Sequence, residues 1–262
     1  MALLRVTVVL VGAFLAMVGS AQATQPMKNG ILQAPLGIKG KDDRSPVDIT
    51  AFPWRTIGRV NRSGNFCTGI LVAEDQVLTA AHCFWNKRTK RWSGATEFHF
   101  VAGYDKGRYA GHARGLRYRT AFAALPDLSV QPLPRDKDWA VLTLDKPLGK
   151  TFGFAEVSRR RLSEDALATA DLVQAGYSRD YSHILTVHEK CRITHTARLD
   201  KGQAPIYFHQ CDATNGDSGS PIFVKDGAGY RLIGLHSATA RLKTGEVSGL
   251  AIPSSVFYPY LK

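Results

Sequence analysis

Cysteine is scarce in this sequence, with four among 262 residues. Four cysteines are too few for a small disulfide-dense protein but enough for two disulfides, and the sequence does not choose among the three possible pairings. None of the spacings is CxxC, which excludes a zinc ribbon and a thioredoxin-like redox site. His188-Glu189 begins an HExxH zinc motif, but Arg192 stands where its second histidine would be. P-loop and dinucleotide-binding fingerprints are also absent, so we expect neither a metal nor a cofactor.

Long apolar runs are absent except near the N-terminus. Arg5 precedes the apolar residues 6–19, which are followed by the small-residue site at residues 21–23 (AQA). This order is typical of a signal peptide, predicted to be residues 1–23, and the run is shorter than the roughly 20 residues of a membrane span. An uncleaved anchor is the alternative. We expect a secreted or periplasmic protein that has no membrane span after signal removal, and in which cysteines favour disulfides.

Acidic residues are outnumbered, because 34 lysines and arginines stand against 22 aspartates and glutamates, a net charge of +12. The basic residues cluster at 87–91, 114–119 and 159–161. Such clusters with aromatic neighbours raise the hypothesis of nucleic-acid binding, but no nucleic-acid-binding module is recognisable. We favour solvated loops that attract anionic surfaces or acidic substrates, and we do not expect nucleic acid as the main partner.

Helical periodicity is scarce after the signal. Residues 24–44 are rich in glycine, proline and charge, which predicts a pro-segment or an N-terminal arm before a folded domain at 45–262. In that domain short apolar runs alternate with turn clusters such as residues 61–65, a pattern that predicts an all-β fold of many short strands. The runs lie at residues 68–72, 76–81, 98–103, 140–144, 171–176, 220–224 and 230–236. About 210 residues of this texture predict two packed barrels, and Ser163 can cap a single short helix, with a loop as the alternative.

One glycine-rich turn carries a candidate nucleophile. Residues 215–221 (NGDSGSP) place Ser218 next to a glycine and directly before the apolar run of a predicted strand. Glycines allow backbone conformations that a Cβ would forbid, and the amides of Gly216 and Ser218 can then converge on a developing oxyanion. An ordinary tight turn is the alternative, since Gly, Asp and Ser are common in turns.

A histidine and an aspartate in two other segments complete a candidate triad. His82 ends an apolar run and is tethered by Cys83, which suits a fixed general base. Asp138 directly precedes the apolar residues 140–144, and we prefer it to Asp136 as the acceptor for an imidazole N–H. Taken alone, each residue also fits a structural role.

The three segments together resemble a known family. The strings TAAHC, DWAVLTL and GDSGSP, in the order His, Asp, Ser, resemble the motifs of chymotrypsin-fold serine endopeptidases, and the resemblance extends over about residues 50–257. It implies two packed six-stranded antiparallel Greek-key barrels, about residues 50–155 and 165–257, with the active site in the cleft between them. It also implies two disulfides, Cys67–Cys83 and Cys191–Cys211.

The resemblance also assigns roles to individual residues. It implies that Ser218 attacks the peptide carbonyl, that His82 is the general base and that Asp138 orients the imidazole. Gly216 and Ser218 would supply the amides of the oxyanion hole. Within the family the sequence is similar to the bacterial, glutamyl-endopeptidase-like branch, because Ser220 follows GDSG and a histidine precedes the serine in IGLHS.

Three further residues are candidates for substrate binding. Asp212, six residues before the nucleophile, lies where trypsins hold a carboxylate for arginine or lysine; a loop hydrogen-bonding residue is the alternative. His236 resembles the histidine that glutamyl endopeptidases use for acidic substrates, although Ala213 replaces the hydroxyl residue beside it. Ser237 resembles the family serine near the triad carboxylate that helps to hold the substrate backbone.

The remaining expectations concern activation and partners. Asp43-Arg44 resembles the pair just downstream of the mature N-terminus in glutamyl endopeptidases, which predicts a zymogen whose pro-segment ends between Pro35 and Arg44. We expect protein or peptide substrates and a monomer. The alternative function is a catalytically silent protease-fold protein that binds anionic cell-surface material. The presence of all three triad residues favours the enzyme.

Overall fold

The computed structural model of the protein describes residues 27–28, 31–32, 36–227 and 229–261. The chain divides into two units, residues 1–34 and 35–262. In the first unit, Met27–Lys28 (β1) pairs antiparallel with Ile31–Leu32 (β2). The predicted signal peptide lies outside the described residues. Over those residues, no helix has both the length and the apolar character that a membrane crossing requires.

Short strands dominate the second unit. In chain order they are Ser45–Pro46 (β3), Ile57–Arg62 (β4), Asn65–Leu71 (β5), Gln76–Thr79 (β6), Trp85–Asn86 (β7), Arg91–Trp92 (β8), His99–Ala102 (β9), Gly111–Thr120 (β10), Ala140–Leu144 (β11), Glu156–Val157 (β12), Leu172–Gly176 (β13), Thr186–Cys191 (β14), Ile193–Ala197 (β15), Ile206–His209 (β16), Pro221–Asp226 (β17), Gly229–Arg241 (β18) and Val247–Pro253 (β19). Each apolar run predicted to be a strand overlaps one of them, which confirms those predictions.

Helices are short and few among the described residues. The α-helices are Leu148–Phe152 (α1), Glu164–Thr169 (α2) and Ser254–Phe257 (α3), and the 3-10 helices are Trp54–Thr56, Ala81–Phe84, Ala95–Glu97, Arg135–Lys137 and Tyr258–Tyr260. The hydroxyl of Ser163 accepts a hydrogen bond from the amide of Ala166 at 3.2 Å, so it caps α2 as predicted.

Six antiparallel strands close into a barrel in the order β10-β11-β6-β5-β4-β9. A two-residue hairpin joins β4 to β5 at Ser63 and Gly64, whose φ angles are 45° and 79°. Two consecutive residues with positive φ form the turn type that matches the twist of antiparallel strands. The turn predicted at residues 61–65 is therefore confirmed.

Aromatic side chains fill the interior of this barrel. The ring of Phe84 lies 4.4 Å from that of Phe98 and 4.1 Å from that of Tyr118, measured between centroids. Phe100 belongs to the same buried cluster and has no exposed surface. Because Phe84 follows His82 by two residues, this packing also fixes the position of the chain just after β6.

The other long strands form a second sheet in the order β15-β16-β19-β18-β17-β13-β14-β3, and β12 pairs in parallel with β18. In the chain only Arg192 separates β14 from β15, which lie near opposite ends of this order, so the sheet curls back on itself. The predicted all-β class is confirmed, with one closed six-stranded barrel and one curled sheet. The second sheet contains nine strands where six were predicted. The two-residue strands β3 and β12 account for two of the extra three, and the third arises because Arg192 divides one extended segment into β14 and β15.

A single buried apolar cluster joins the barrel to the curled sheet. It contains Ile70 and Val141 from the barrel together with Phe223 and Leu235 from the sheet. Burial of these side chains holds the two layers together without directional bonds. Their contact also places the end of β6, the segment just before β11 and the loop before β17 close to one another.

We predict that Phe100→Ala lowers the free energy of unfolding by about 3–5 kcal/mol, because it removes a fully buried ring and leaves a cavity in the barrel. Leu116→Ala is the matched control, since Leu116 lies on β10 with 49% of its surface exposed, and it should cost less than about 1 kcal/mol. Urea unfolding followed by tryptophan fluorescence measures both. Equal effects of the two substitutions would contradict the assignment of the barrel core.

Candidate active site

His82 lies in the 3-10 turn that follows β6 and is held at two points by one carboxylate. Its backbone N–H donates to Oδ1 of Asp138 at 2.8 Å, and its Nδ1 lies 2.8 Å from Oδ2 of the same residue. The side chain is about one-third exposed, so the other edge of the ring faces the cleft. The Cys67–Cys83 disulfide fastens this turn to β5.

Ser218 completes a line of hydrogen-bonding groups. Its Oγ lies 2.9 Å from Nε2 of His82, so the structure brings the three candidate residues Ser218, His82 and Asp138 together. Gly219 has φ of +86°, and a Cβ at this position would collide with the carbonyl oxygen of Thr68. A glycine is therefore required directly after the serine.

Thr68 on β5 fixes the loop that carries the serine. Its backbone N–H donates to the carbonyl of Ser218 at 2.9 Å, and its hydroxyl donates to the carbonyl of Gly216 at 3.0 Å. The same hydroxyl accepts a hydrogen bond from the backbone N–H of Tyr177 at 2.9 Å. Sequence reasoning missed this residue, because a threonine on an apolar strand carries no motif.

The backbone beside Ser218 leaves two amides free to donate. Gly216 has φ of +102°, a left-handed conformation that favours glycine. Within the described part of the chain neither the amide of Gly216 nor that of Ser218 has an acceptor. Two unengaged N–H groups on one turn are the feature that stabilises an oxyanion.

Asp138 has no exposed surface, and each of its oxygens is hydrogen-bonded. Oδ1 accepts the amide of His82, while Oδ2 faces Nδ1 of His82 and accepts the hydroxyl of Ser237 at 2.5 Å. Burial alone would raise the pKa of this carboxyl, but the attraction of His82 and the three hydrogen bonds outweigh it and lower the pKa below its ordinary value. The alternative, Asp136, is turned away and accepts the amide of Ala204 at 3.0 Å.

A second buried carboxylate, Asp217, supports the loop from beneath. It accepts hydrogen bonds from the hydroxyl of Ser178 at 2.5 Å, the amide of Thr214 at 2.8 Å and the hydroxyl of Ser220 at 3.2 Å. Burial raises its pKa to about 6 in spite of these hydrogen bonds. The three donors to its carboxylate are all neutral groups of the surrounding loops.

The predicted triad opens onto a cavity of about 420 Å³. Its lining is Leu36, His82, Lys87, Arg135, Thr214, Asn215, Ser218, His236, Ser237, Ala238 and Thr239. None of these residues carries a carboxylate, and two of them carry a positive charge. Two of the three substrate-binding candidates, His236 and Ser237, thus lie on the wall of this cavity.

The third candidate, Asp212, is buried behind that wall. Its Oδ1 accepts the amide of Lys39 at 2.8 Å and its Oδ2 accepts the amide of Asp43 at 3.1 Å. Nδ1 of His188 lies 3.3 Å from Oδ2. Asp43, His188 and Asp212 could group around a cation, but both oxygens of Asp212 are already engaged by amides, so we assign no metal to this cluster.

Residues 36–44, which belong to the predicted pro-segment, pack against the rest of the second unit. The ammonium of Lys39 donates to the carbonyl of Cys211 at 2.5 Å and to that of Gly37 at 3.0 Å, and burial lowers its pKa to about 8. Arg44 pairs with Asp42 and Asp180 at 2.8 Å and 2.6 Å. Sequence reasoning missed the contacts of Lys39 with Cys211 and of Arg44 with Asp180, which join residues more than a hundred positions apart.

Two histidines form a buried pair at the back of the cavity wall. Nε2 of His209 lies 3.0 Å from Nδ1 of His236. Burial lowers the pKa of both rings, that of His236 to about 3. His236 is therefore neutral at physiological pH. It can form a hydrogen bond with a substrate but supplies no positive charge.

The sequence pattern of the trypsin family matches residues 42–261, and the chain therefore belongs to this family. The resemblance inferred from the three motifs is confirmed. A solved structure titled as a Glu endopeptidase in complex with MPD aligns with 86% of this chain and 96% of its own, with a TM-score of 0.64 and 22% identity. At that identity the likeness establishes the fold.

Curated relatives are similar over part of their length. Glutamyl endopeptidase of Bacillus licheniformis is 25% identical over 201 residues, which are 75% of this chain and 58% of that protein. Serine protease 23 of Macaca mulatta is 26% identical over 231 residues, 79% of this chain and 56% of that protein. The alignments thus span little more than half the length of these relatives.

We predict that the folded protein loses stability as the pH falls below 6.5, because His209 and His236 stay neutral when folded while the unfolded chain takes up protons. Each histidine contributes about 1.4 kcal/mol per pH unit. Asp217, with its pKa raised to about 6, opposes one of them between pH 6 and 4, so the net change remains a loss. Urea unfolding at pH 7.5 and 5.0 measures the difference.

His209→Gln should shrink that difference, because glutamine does not titrate. His195→Gln is the control, since His195 is exposed on β15 and should leave the difference unchanged. An identical pH dependence in all three proteins would contradict the role of the buried pair.

Proposed function

We propose that this protein is a secreted serine endopeptidase that hydrolyses peptide bonds through Ser218, His82 and Asp138 and an acyl-enzyme intermediate. The observation that carries the proposal is the unbroken line of hydrogen-bonding atoms from Oγ of Ser218 through both ring nitrogens of His82 to the Asp138 carboxylate, with steps of 2.9 and 2.8 Å. Membership of the trypsin family supports it.

The first half of the reaction forms an ester. With Nδ1–H of His82 donating to Asp138, Nε2 accepts the proton of Ser218 as Oγ attacks the carbonyl carbon of the substrate. The carbonyl oxygen becomes an oxyanion that accepts hydrogen bonds from the backbone N–H groups of Gly216 and Ser218. The tetrahedral intermediate then collapses, the C–N bond breaks, and Nε2–H of His82 gives its proton to the leaving amine.

The second half releases the acid. A water molecule gives a proton to Nε2 of His82 and attacks the ester carbon, and collapse of the second intermediate returns the proton to Oγ of Ser218. Throughout, the ionised Asp138 stabilises the imidazolium, and its lowered pKa keeps it ionised at neutral pH. Burial strengthens this attraction because water does not screen it.

Secretion is supported by independent features. The signal-like pattern of residues 1–23 precedes a domain with two disulfides, Cys67–Cys83 and Cys191–Cys211. Disulfides persist outside the cytosol and are rare within it. N-terminal sequencing of protein recovered from the culture medium or the periplasm tests export.

We predict that a fluorophosphonate probe labels the protein at Ser218 and that Ser218→Ala abolishes both labelling and cleavage of casein, because the nucleophilic oxygen is gone. Ser45→Ala, at an exposed serine of β3, is the matched control and should retain both. Thermal unfolding of both variants checks that they fold. Full labelling of Ser218→Ala would refute the assignment, and a well-folded, unlabelled wild type would favour a binding protein.

Asp138→Asn should lower kcat by about 10⁴-fold. The amide cannot accept all three hydrogen bonds that the carboxylate accepts, and it carries no charge to stabilise the imidazolium. Asp136→Asn is the control at the neighbouring buried carboxylate and should keep kcat within about tenfold, because it does not contact the imidazole. A similar loss in both variants would argue against Asp138 as the orienting residue.

A further inference from the structure

A second cavity adjoins the catalytic one at His82. It has a volume of about 350 Å³ and is lined by His82, Trp85, Lys87, Lys90, Leu128, Ser129, Pro132, Leu133 and Arg135. His82, Lys87 and Arg135 also line the catalytic cavity. The two cavities therefore adjoin at these three residues.

Three cations, Lys87, Lys90 and Arg135, face this second cavity, which we name the basic subsite. None of its lining residues carries a carboxylate. In the described part of the chain, Lys87 and Arg135 have no carboxylate within ion-pair distance. Two positive charges beside the reacting groups are thus left for a ligand to neutralise.

The carboxylates nearest in sequence to these cations are engaged elsewhere. Asp136 accepts the amide of Ala204, and Asp138 accepts hydrogen bonds from His82 and Ser237. Asp127 interacts electrostatically with Lys90, and its carboxylate accepts hydrogen bonds from the amide and hydroxyl of Ser129 at 2.8 and 2.7 Å. Among the described residues, these carboxylates therefore form no ion pair with Lys87 or Arg135.

The apolar part of the lining shapes what can bind. Trp85, Leu128 and Leu133 offer surface for the methylene groups of a side chain, while the cations offer donors to its end. A glutamate has both parts.

We propose that the basic subsite binds an acidic side chain of the substrate, at a position other than the residue whose carbonyl Ser218 attacks. The proposal rests on the endopeptidase function proposed above and names its substrate class: peptide segments in which an acidic residue lies a short distance from the cleaved bond. Lys87 and Arg135 are then specificity-determining residues. His236, in the neighbouring cavity, is neutral and supplies no charge for this selection.

The test compares glutamate with glutamine along a peptide. A set of fluorogenic octapeptides carries a single glutamate at each position in turn, and a matched set carries glutamine. The measured quantity is the ratio of kcat/KM for each glutamate–glutamine pair. We expect a ratio of tenfold or more at one position away from the attacked residue, carried by KM, and smaller in 300 mM than in 20 mM salt because of screening.

Variants locate the effect in the basic subsite. Lys87→Gln/Arg135→Gln should bring the ratio at that position close to one. The control is Arg159→Gln/Arg160→Gln, which removes the same net charge from a separate cavity of about 590 Å³ that includes neither triad nor subsite residues, and it should keep the wild-type ratio. Lys87→Glu, at an exposed position, should lower the ratio at that position below the wild-type value, because it places a negative charge beside Lys90 and Arg135.

The outcomes separate this proposal from the function on which it rests. Ratios near one at every position of the wild type except the attacked residue, or an unchanged ratio in Lys87→Gln/Arg135→Gln, would overturn the basic subsite while peptide cleavage continued. Absence of both cleavage and fluorophosphonate labelling would overturn the endopeptidase itself, and the subsite with it.

Discussion

The burial of one charge, the carboxylate of Asp138, is the constraint on which the site depends. An ionised carboxylate without exposed surface is costly unless its oxygens are paired and hydrogen-bonded. Here the compensating groups come from the turn after β6, which carries His82, and from β18, which carries Ser237. The two hydrogen bonds from His82 form within the barrel, whereas the one from Ser237 forms only when the barrel and the curled sheet are in contact. The same contact brings Ser218 to the imidazole.

The strands that could be predicted are those buried on both faces. Residues 140–144 form a continuous apolar run because every side chain of β11 is buried. β10 could not be predicted in this way, since it alternates buried and outward-facing residues and its outward face carries arginines such as Arg114 and Arg117. What makes it a strand is pairing with β9 and β11, which a local pattern does not contain.

The same division holds at the site. His82, Asp138 and Ser218 could be proposed from short motifs because each sits in a local context of strand end or glycine turn that its chemistry requires. Thr68 and Lys39 could not be proposed in this way, because their roles consist of hydrogen bonds to distant parts of the chain. Gly216 lies 148 positions after Thr68, and Cys211 lies 172 positions after Lys39. Nothing in the local sequence distinguishes such a threonine or lysine from an ordinary one.

The engagement of Asp212 by the amides of Lys39 and Asp43 has an evolutionary consequence. In this arrangement the carboxylate serves as an anchor for the chain that enters the domain, so it is not a spare group awaiting a ligand. A variant that used Asp212 to select arginine or lysine would first have to break these two hydrogen bonds. Residues 36–44 would then be less well ordered. The carboxylate of Asp212 cannot both hold residues 36–44 in place and bind a substrate side chain. A change of substrate preference through Asp212 would therefore require several coordinated substitutions.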